Sequence, residues 1–219
     1  MAVKTPIVIV GAGGYARAIH DAITSEEARD VLGFVDNHAI EGQQFCGLPV
    51  QLESEFVASG YGGGIVVGLG DNARREKVVL DLRKSLPNAS FPIITHPRAI
   101  VSRSARIGTG SVILAGAVVG ANVQIGEFGS IWSNAVIEHD SIASDFVTLA
   151  PSATTGGSVT IGARTFLGLG CRAIHGVKIG QDCVVAAGAV LTKDCRDRSV
   201  MMGVPASETR QRQPQERYL

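Results

Sequence analysis

The chain lacks the features that would place it in several common functional classes. Neither charge is in excess: 20 Lys and Arg against 20 Asp and Glu give a formal net charge of zero. That argues against the basic face a broad nucleic-acid footprint requires. No apolar run approaches the roughly 20 residues that span a membrane. The segment 1–6 has no long apolar core of the kind a secretory signal carries. The expectation is a cytoplasmic protein with no nucleic-acid and no membrane partner. Cysteine is sparse: Cys46, Cys171, Cys183 and Cys195 lie too far apart for a close-spaced metal motif. Aromatic residues make up only 5% of the chain, whereas glycine is abundant at 27 residues. That balance suits tight turns with little room for rings.

What the chain does have is a period of six. From Val101 to Leu191 every sixth position belongs to one ladder, and thirteen of its sixteen members are Ile, Leu or Val; Ala143, Thr155 and Ala173 are the others. Six is neither the 3.6 of a helix nor the 2 of a single strand, and it signals a β-helix coiled from short parallel strands. Two residues before each ladder position stands a small or β-branched side chain, and Cys171, Cys183 and Cys195 all fall in that slot. They read as stacked core filler rather than as disulfide or metal partners, and the chain suits a reducing compartment. Gly recurs one residue after the ladder at Gly108, Gly120, Gly126, Gly162, Gly168 and Gly180. These positions need either a tight corner or close backbone approach. Three hexads per coil make a triangular prism, so residues eighteen apart stack in columns about 4.8 Å per coil.

Residues 6–92 follow a different pattern. The run Ile7-Val8-Ile9-Val10 leads into Gly11-Ala12-Gly13-Gly14-Tyr15-Ala16 and then a helical stripe through Ile19 and Ile23. Further apolar runs at 31–36 and 64–70, a helix over 72–86 and a candidate strand at 90–94 complete a small parallel α/β domain. The expected division is an N-terminal Rossmann-like domain over 1–95 and a β-helix over 96–219. Residues 199–206 cap the open end, and a polar tail from Ser207 ends in a short helix or disorder. The turn is a G-x-G-x-x-A form of the dinucleotide fingerprint. Gly11 permits the turn, Gly13 lets backbone approach a phosphate, and the helix N-terminus favours an anion. Asp36 at the end of the second strand suits a ribose. An NAD, a nucleotide-sugar diphosphate, or a glycine turn kept only for packing all fit this motif. The small domain favours one nucleotide over two. The loop Gly68–Asn72 is a second phosphate-side segment.

Five histidines remain to be placed. His20 and His38 read as solvent-facing and His96 as structural. His139 and His175 occupy the same hexad position two coils apart, with Gly157 between them in the column. Two coils span about 10 Å, too far for both to bind one metal ion. That spacing also leaves Gly157 as a shallow slot. Glu138 and Asp140 flank His139, and a carboxylate beside an imidazole can fix its tautomer and raise the basicity of the far nitrogen. A surface histidine among surface charges is the competing reading.

The whole chain resembles one family, the sugar O- and N-acetyltransferases of bacterial surface-glycan pathways. These include nucleotide-amino-sugar N-acetyltransferases of bacillosamine and perosamine type and the sialic acid O-acetyltransferase type. The resemblance rests on residues 7–14, Phe34-Val35-Asp36, His96-Pro97, Ile137-Glu138-His139-Asp140, Gly176–Gly180 and Gly203-Val204-Pro205-Ala206. It implies homotrimers of left-handed parallel β-helices, acetyl-CoA as co-substrate in a groove between subunits, and no metal. By the same resemblance His139 is the general base, with Asp140 and Glu138 beside it. Gly157, Leu169 and Ala187 face the pantetheine arm of acetyl-CoA. Gly11, Gly13, Gly14, Tyr15, Asp36, Asn37 and Asn72 hold the nucleotide-sugar. Family members often carry His where this chain has Tyr15, and some carry a second His where it has Thr148. The expected reaction is acetyl transfer to a nucleotide-linked amino sugar. The alternatives are O-acetylation of sialic acid or another sugar hydroxyl, a zinc hydratase of carbonic anhydrase type, and a non-catalytic nucleotide-binding scaffold.

Overall fold

The computed structural model describes residues 4–26, 28–213 and 216. The chain divides into two compact units, Met1–Pro97 and Arg98–Leu219. The first is built on a sheet in the order β3-β4-β2-β1-β5. Its strands are β1 (Thr5–Val10), β2 (Arg29–Asp36), β3 (Gln44–Phe45), β4 (Leu48–Leu52) and β5 (Gly64–Val67). All pair in parallel except the β3–β4 hairpin. Helix α1 (Gly14–Glu26) turns Tyr15, Ala16, Ile19, Ala22 and Ile23 inward, and α3 (Asn72–Ser85) buries Asn72, Arg75, Val79 and Leu82. Strand β5 is buried throughout and β1 is buried over Ile7–Val10, as parallel strands covered on both faces are.

Three features differ from the sequence reading. The hairpin β3–β4 and the short helix α2 (Glu53–Ala58) fill a stretch in which no element was expected. The hairpin strands are short and one carries Pro49, which erases the alternation that marks a strand. The candidate strand at 90–94 reduces to an isolated bridge from Ser90 to Gly64 and a two-residue strand, Ile94–Thr95. The polar tail is neither helix nor disorder over Ala206–Gln211. It is a strand paired antiparallel with Ser199–Gly203, so that Glu208 reaches Arg196 and Ser199. Residues 214, 215 and 217–219 of the expected tail lie outside the described residues.

The second unit is a parallel β-helix whose two-residue strands stack at an offset of eighteen. One face runs from Ile100–Val101 to Val190–Leu191, a second from Arg106–Ile107 to Lys178–Ile179, and a third from Val112–Ile113 to Val184–Val185 and on into the cap strand. Typical pairings are Val119 with Ile137, Ile125 with Ala143 and Ile131 with Leu149. The ladder fills the interior, and Ile113, Ile131, Ile137, Leu149, Ile161, Leu167 and Val185 have no exposure at all. Cys171 and Cys183 sit in the same core as free thiols, and burial pushes the Cys171 thiol up to about 12.

The small slot also carries hydroxyls that join the coils. Ser141 accepts a hydrogen bond from the Val159 N–H at 3.1 Å, and its hydroxyl points at the Gly156 carbonyl. Ser111 and Thr165 repeat the arrangement with Gly129 and Gly126, and with Cys183 and Gly180. Each hydroxyl thus supplies an acceptor to a buried amide that the strand pairing leaves open.

The glycines after the ladder serve backbone approach, not the corner itself. A Cβ on Gly120 would lie 2.8 Å from the His139 nitrogen, and one on Gly162 would lie 2.4 Å from the Gln181 nitrogen. The corner comes two residues later, where the chain enters the left-handed region. Asn122, Phe128, Asn134, Asp140, Phe146, Ser152, Ser158 and Arg164 all have φ between 53° and 60°. Asn and Asp tolerate that conformation best among non-glycine residues.

Candidate active site

His139 and Asp140 occupy one such corner, just past the ladder residue Ile137. The left-handed turn at Asp140, φ 57°, folds its carboxylate back beside the preceding imidazole. His139 Nδ1 and Asp140 Oδ2 are 2.9 Å apart. The other carboxylate oxygen, Oδ1, accepts a hydrogen bond from Asn122 Nδ2 at 3.1 Å. Asn122 stands eighteen residues earlier in the same column. It was not singled out from the sequence, although the column rule applied to Asp140 points to it. The bonds from His139 and then Asn122 hold the Asp140 carboxyl below the usual carboxylate range. An ionised Asp140 bound to Nδ1 fixes the tautomer that leaves Nε2 free to accept a proton.

The corner is tied down on both sides. The Asp140 N–H donates to the Ala121 carbonyl at 2.9 Å, and the His139 carbonyl accepts from the Ser158 N–H at 2.8 Å. Thr155, the polar member of the ladder, is fully buried and accepts from the Glu138 N–H at 3.3 Å. The Glu138 carboxylate itself is exposed, and the imidazole pairs with Asp140 instead.

Gly157 has a different part from the one expected. A Cβ there would lie 2.5 Å from both Cε1 and Nε2 of His139 and 3.0 Å from Nδ1. The His139 ring fills the slot. This lean also alters the relation to His175. Their ring centroids are 6.3 Å apart, closer than two coil spacings, because no side chain separates them. Leu169, 58% exposed, and Ala187 lie eighteen apart on a different edge of the prism, the one following the third face. One chain does not bring them together with His139. Among the described residues, no three His, Cys, Asp or Glu side chains converge as a metal site would require.

In the first unit, Gly11 adopts φ 109°, and a Cβ there would press on the Gly68 carbonyl at 3.0 Å. Gly13 and Gly14 are exposed with open space where a side chain would be, so their backbone is free to be approached. Asp36 Oδ1 accepts from the His38 N–H at 2.9 Å, which shapes the turn and leaves Asn37 exposed. Two of the expected contacts turn inward. Tyr15 is only 6% exposed and belongs to the α1 core stripe. Asn72 is 1% exposed, and its Oδ1 accepts from Arg75 Nη2 at 2.8 Å. Arg75, itself buried, donates to the Leu69 and Gly70 carbonyls at 2.9 and 3.3 Å. Asn72 thus steadies the 68–70 loop through Arg75. Asp71 caps α3 by accepting from the Arg74 N–H at 2.9 Å, and its other oxygen is buried without a partner. A pocket of about 810 Å³ in this unit, lined by Val35, Ile40, Pro49, Phe56 and Tyr61 among others, includes none of the glycine-turn residues.

Comparison with known proteins agrees with both units. Residues 6–82 match the PglD N-terminal domain, and residues 158–193 match the hexapeptide repeat of succinyl-transferase. A GDP-perosamine N-acetyl transferase from Caulobacter crescentus, solved as a histidine mutant with CoA and GDP-perosamine, is 32% identical. That match covers 93% of this chain and 96% of the other, with a TM-score of 0.87. The acetyltransferase domain of PglB from Neisseria gonorrhoeae, solved with acetyl coenzyme A, is 27% identical. It covers 94% of this chain and 100% of that one, again at a TM-score of 0.87. GDP-perosamine N-acetyltransferase of Escherichia coli O157:H7 is 29% identical over 82% of each chain. A match to serine acetyltransferase of Mycobacterium tuberculosis, 35% identical, spans only 49% of that relative.

Proposed function

We propose a specific reaction from the premise that this chain belongs to the bacterial sugar acetyltransferases built on a left-handed parallel β-helix of hexapeptide repeats. The chain transfers the acetyl group of acetyl-CoA to the amine of a nucleotide-linked amino sugar, with His139 as general base. The observation that carries this reading is the hydrogen-bonded series Asn122–Asp140–His139, which presents an oriented imidazole at the surface of a coil.

The chemistry follows from that geometry. The amine nitrogen attacks the thioester carbonyl, and His139 Nε2 takes a proton from it as the C–N bond forms. Asp140 keeps Nδ1 protonated and stabilises the imidazolium. The C–S bond then breaks, the amide is released, and His139 returns its proton to the thiolate. The exposed Gly13 and Gly14 amides, at the N-terminus of α1, suit the substrate diphosphate. Asp36 and Asn37 lie at the end of β2, where ligands of parallel α/β sheets bind. Gly11 and Asn72 act behind them by shaping the loops.

A groove that includes Leu169 and Ala187 as well as His139 requires two different edges of the prism, so it needs a neighbouring copy. The outward column of the first face is apolar at Ile100, Val118 and Val136, polar at Thr154 and Arg172, and apolar again at Val190, so its first three members are the part suited to another copy. A homotrimer satisfies both. Four free thiols suit the reducing cytoplasm, where nucleotide-sugars and acetyl-CoA are available.

The test is thiol release from acetyl-CoA with a panel of UDP-, GDP- and dTDP-linked 3-amino and 4-amino sugars, with sialic acid as a hydroxyl control. His139→Ala should bind acetyl-CoA as the native chain does and lose at least 100-fold in turnover. Unchanged turnover would remove His139 from the mechanism, and release only with sialic acid would move the chain to hydroxyl acetylation.

A further inference from the structure

An ammonium acceptor gives up more protons than a hydroxyl does. Its nitrogen carries three, the amide product keeps one, and of the two that depart one ends on the CoA thiol. The other must leave the site. Asp140 occupies Nδ1 of His139, so that ring can accept only at Nε2, one proton at a time. A single imidazole therefore handles the proton released on attack but not the one that makes the acceptor neutral beforehand.

A second imidazole stands where that first proton must go. His175 follows Ala173 as His139 follows Ile137, and the strand pairings Val136 with Thr154 and Thr155 with Ala173 put both in one column. The Gly176 N–H donates to the Gly157 carbonyl at 3.0 Å, which holds the His175 corner directly over the slot. The Cε1–Nε2 edge of His139 lies over Gly157, beneath His175. The ring centroids are 6.3 Å apart and tilted by 44°. Two hydrogen bonds of about 2.9 Å meeting on one nitrogen span up to about 5.8 Å. Each ring nitrogen lies about 1 Å from its centroid, so when a nitrogen of His175 turns toward Nε2 of His139 the two come within that span and one amine can reach both.

We infer that His175 is a second base, which takes the proton of the acceptor's ammonium form before His139 takes the proton released on attack. This role rests on the reading of His139 given above. The step breaks one N–H bond of the ammonium and forms an N–H bond on His175, leaving a neutral amine with its lone pair free. His175 then passes the proton to solvent, to which it is exposed. The charged groups on the surrounding coils are Glu138 and Asp140 below, Arg172 and Lys178 on its own coil, and Lys193 and Asp194 above. Asp194 is bound to the Lys178 N–H at 2.7 Å. Lys193 is the next residue in the column after His175.

The experiment is kcat/KM for the amino-sugar acceptor between pH 7 and 9 in the native chain, His175→Gln and His175→Asn. An amine of pKa about 8 is roughly nine-tenths protonated at pH 7. Without a second base the variants use only the fraction already neutral. They should fall about tenfold below the native chain at pH 7 and less than twofold at pH 9, with KM for acetyl-CoA unchanged. Equal losses at both pH values, or no loss at either, would overturn the role of His175 while leaving His139 in place. A native chain silent with every amino sugar would overturn both.

Discussion

Replacing Gly157 by Ala tests how closely the position of the His139 ring governs the reaction. The new Cβ would sit 2.5 Å from Cε1 and Nε2, where ordinary contact begins near 3.4 Å. The ring must retreat by about 1 Å, and a misplacement of that size costs on the order of 100-fold in rate. Its retreat also pulls Nδ1 off Asp140. Folding should not suffer, because Gly157 does not have a left-handed φ and the group that yields is a half-exposed side chain. A Gly to Ala change at a compatible backbone stabilises by about 0.4–1 kcal/mol through the unfolded chain. The expected result is a thermal midpoint unchanged or raised by up to about 4 °C, KM for the nucleotide-sugar unchanged, and kcat reduced about 100-fold. Gly120→Ala is the contrast: its Cβ meets the His139 backbone nitrogen at 2.8 Å, so the coils themselves must part and stability falls with activity. Gly157→Ala retaining more than a third of native kcat would refute the idea that the empty column position sets the ring.

The cap gives a pH-dependent expectation. Arg196, then Ser199 and Gln211, hold the Glu208 carboxyl at about 2, below its usual 4.5, so its bonds stabilise the cap above about pH 4.5 and are lost as pH falls toward 2. Native thermal midpoints should therefore drop more steeply between pH 6 and pH 3 than those of Glu208→Gln, and parallel curves would dismiss the contribution. A groove shared between copies predicts complementation. If His139 and Ala187 of different copies meet, His139→Ala and Ala187→Trp, each inactive alone, should recover about a quarter of native activity when randomly mixed in trimers. No recovery in mixtures shown to have exchanged subunits would place the whole site on one chain.

Much of this was legible because a six-residue period converts sequence distance into spatial position. His139, Gly157 and His175 could be placed in one column without coordinates, and the same rule extends to Asn122 beneath Asp140. What the period cannot supply is a side-chain torsion. Coil spacing alone put His139 and His175 about 10 Å apart with Gly157 as a shallow slot between them, whereas the lean of the His139 ring fills the slot and brings the ring centroids to 6.3 Å. The first unit offered a helical period, and it was informative where followed through. Tyr15, Ile19 and Ala22 share one face of α1, and Asn72, Arg75, Val79 and Leu82 share one face of α3. That spacing marks Tyr15 and Asn72 as inward residues despite their polar groups. The β3–β4 hairpin had no period to read: its strands are short, and one carries a proline.

The corner also explains why the base stands where it does. On this prism the interior is closed by the ladder, and the edges are where a side chain is followed directly by a residue in the left-handed region. The left-handed backbone recurs at Asn122, Asn134, Ser152, Ser158 and Asp182 as well as at Asp140, where it folds the carboxylate back on its predecessor. A dyad thus needs only a carboxylate at the left-handed position and an imidazole immediately before it. Asp182 supplies the same backbone but follows Gln181, and its carboxylate is taken by Arg164 at 2.7 and 2.9 Å. Neighbours within the column decide which corner becomes reactive: Asn122 below orients Asp140, Gly157 above makes room for the ring, and His175 stands beyond it with its ring centroid 6.3 Å away.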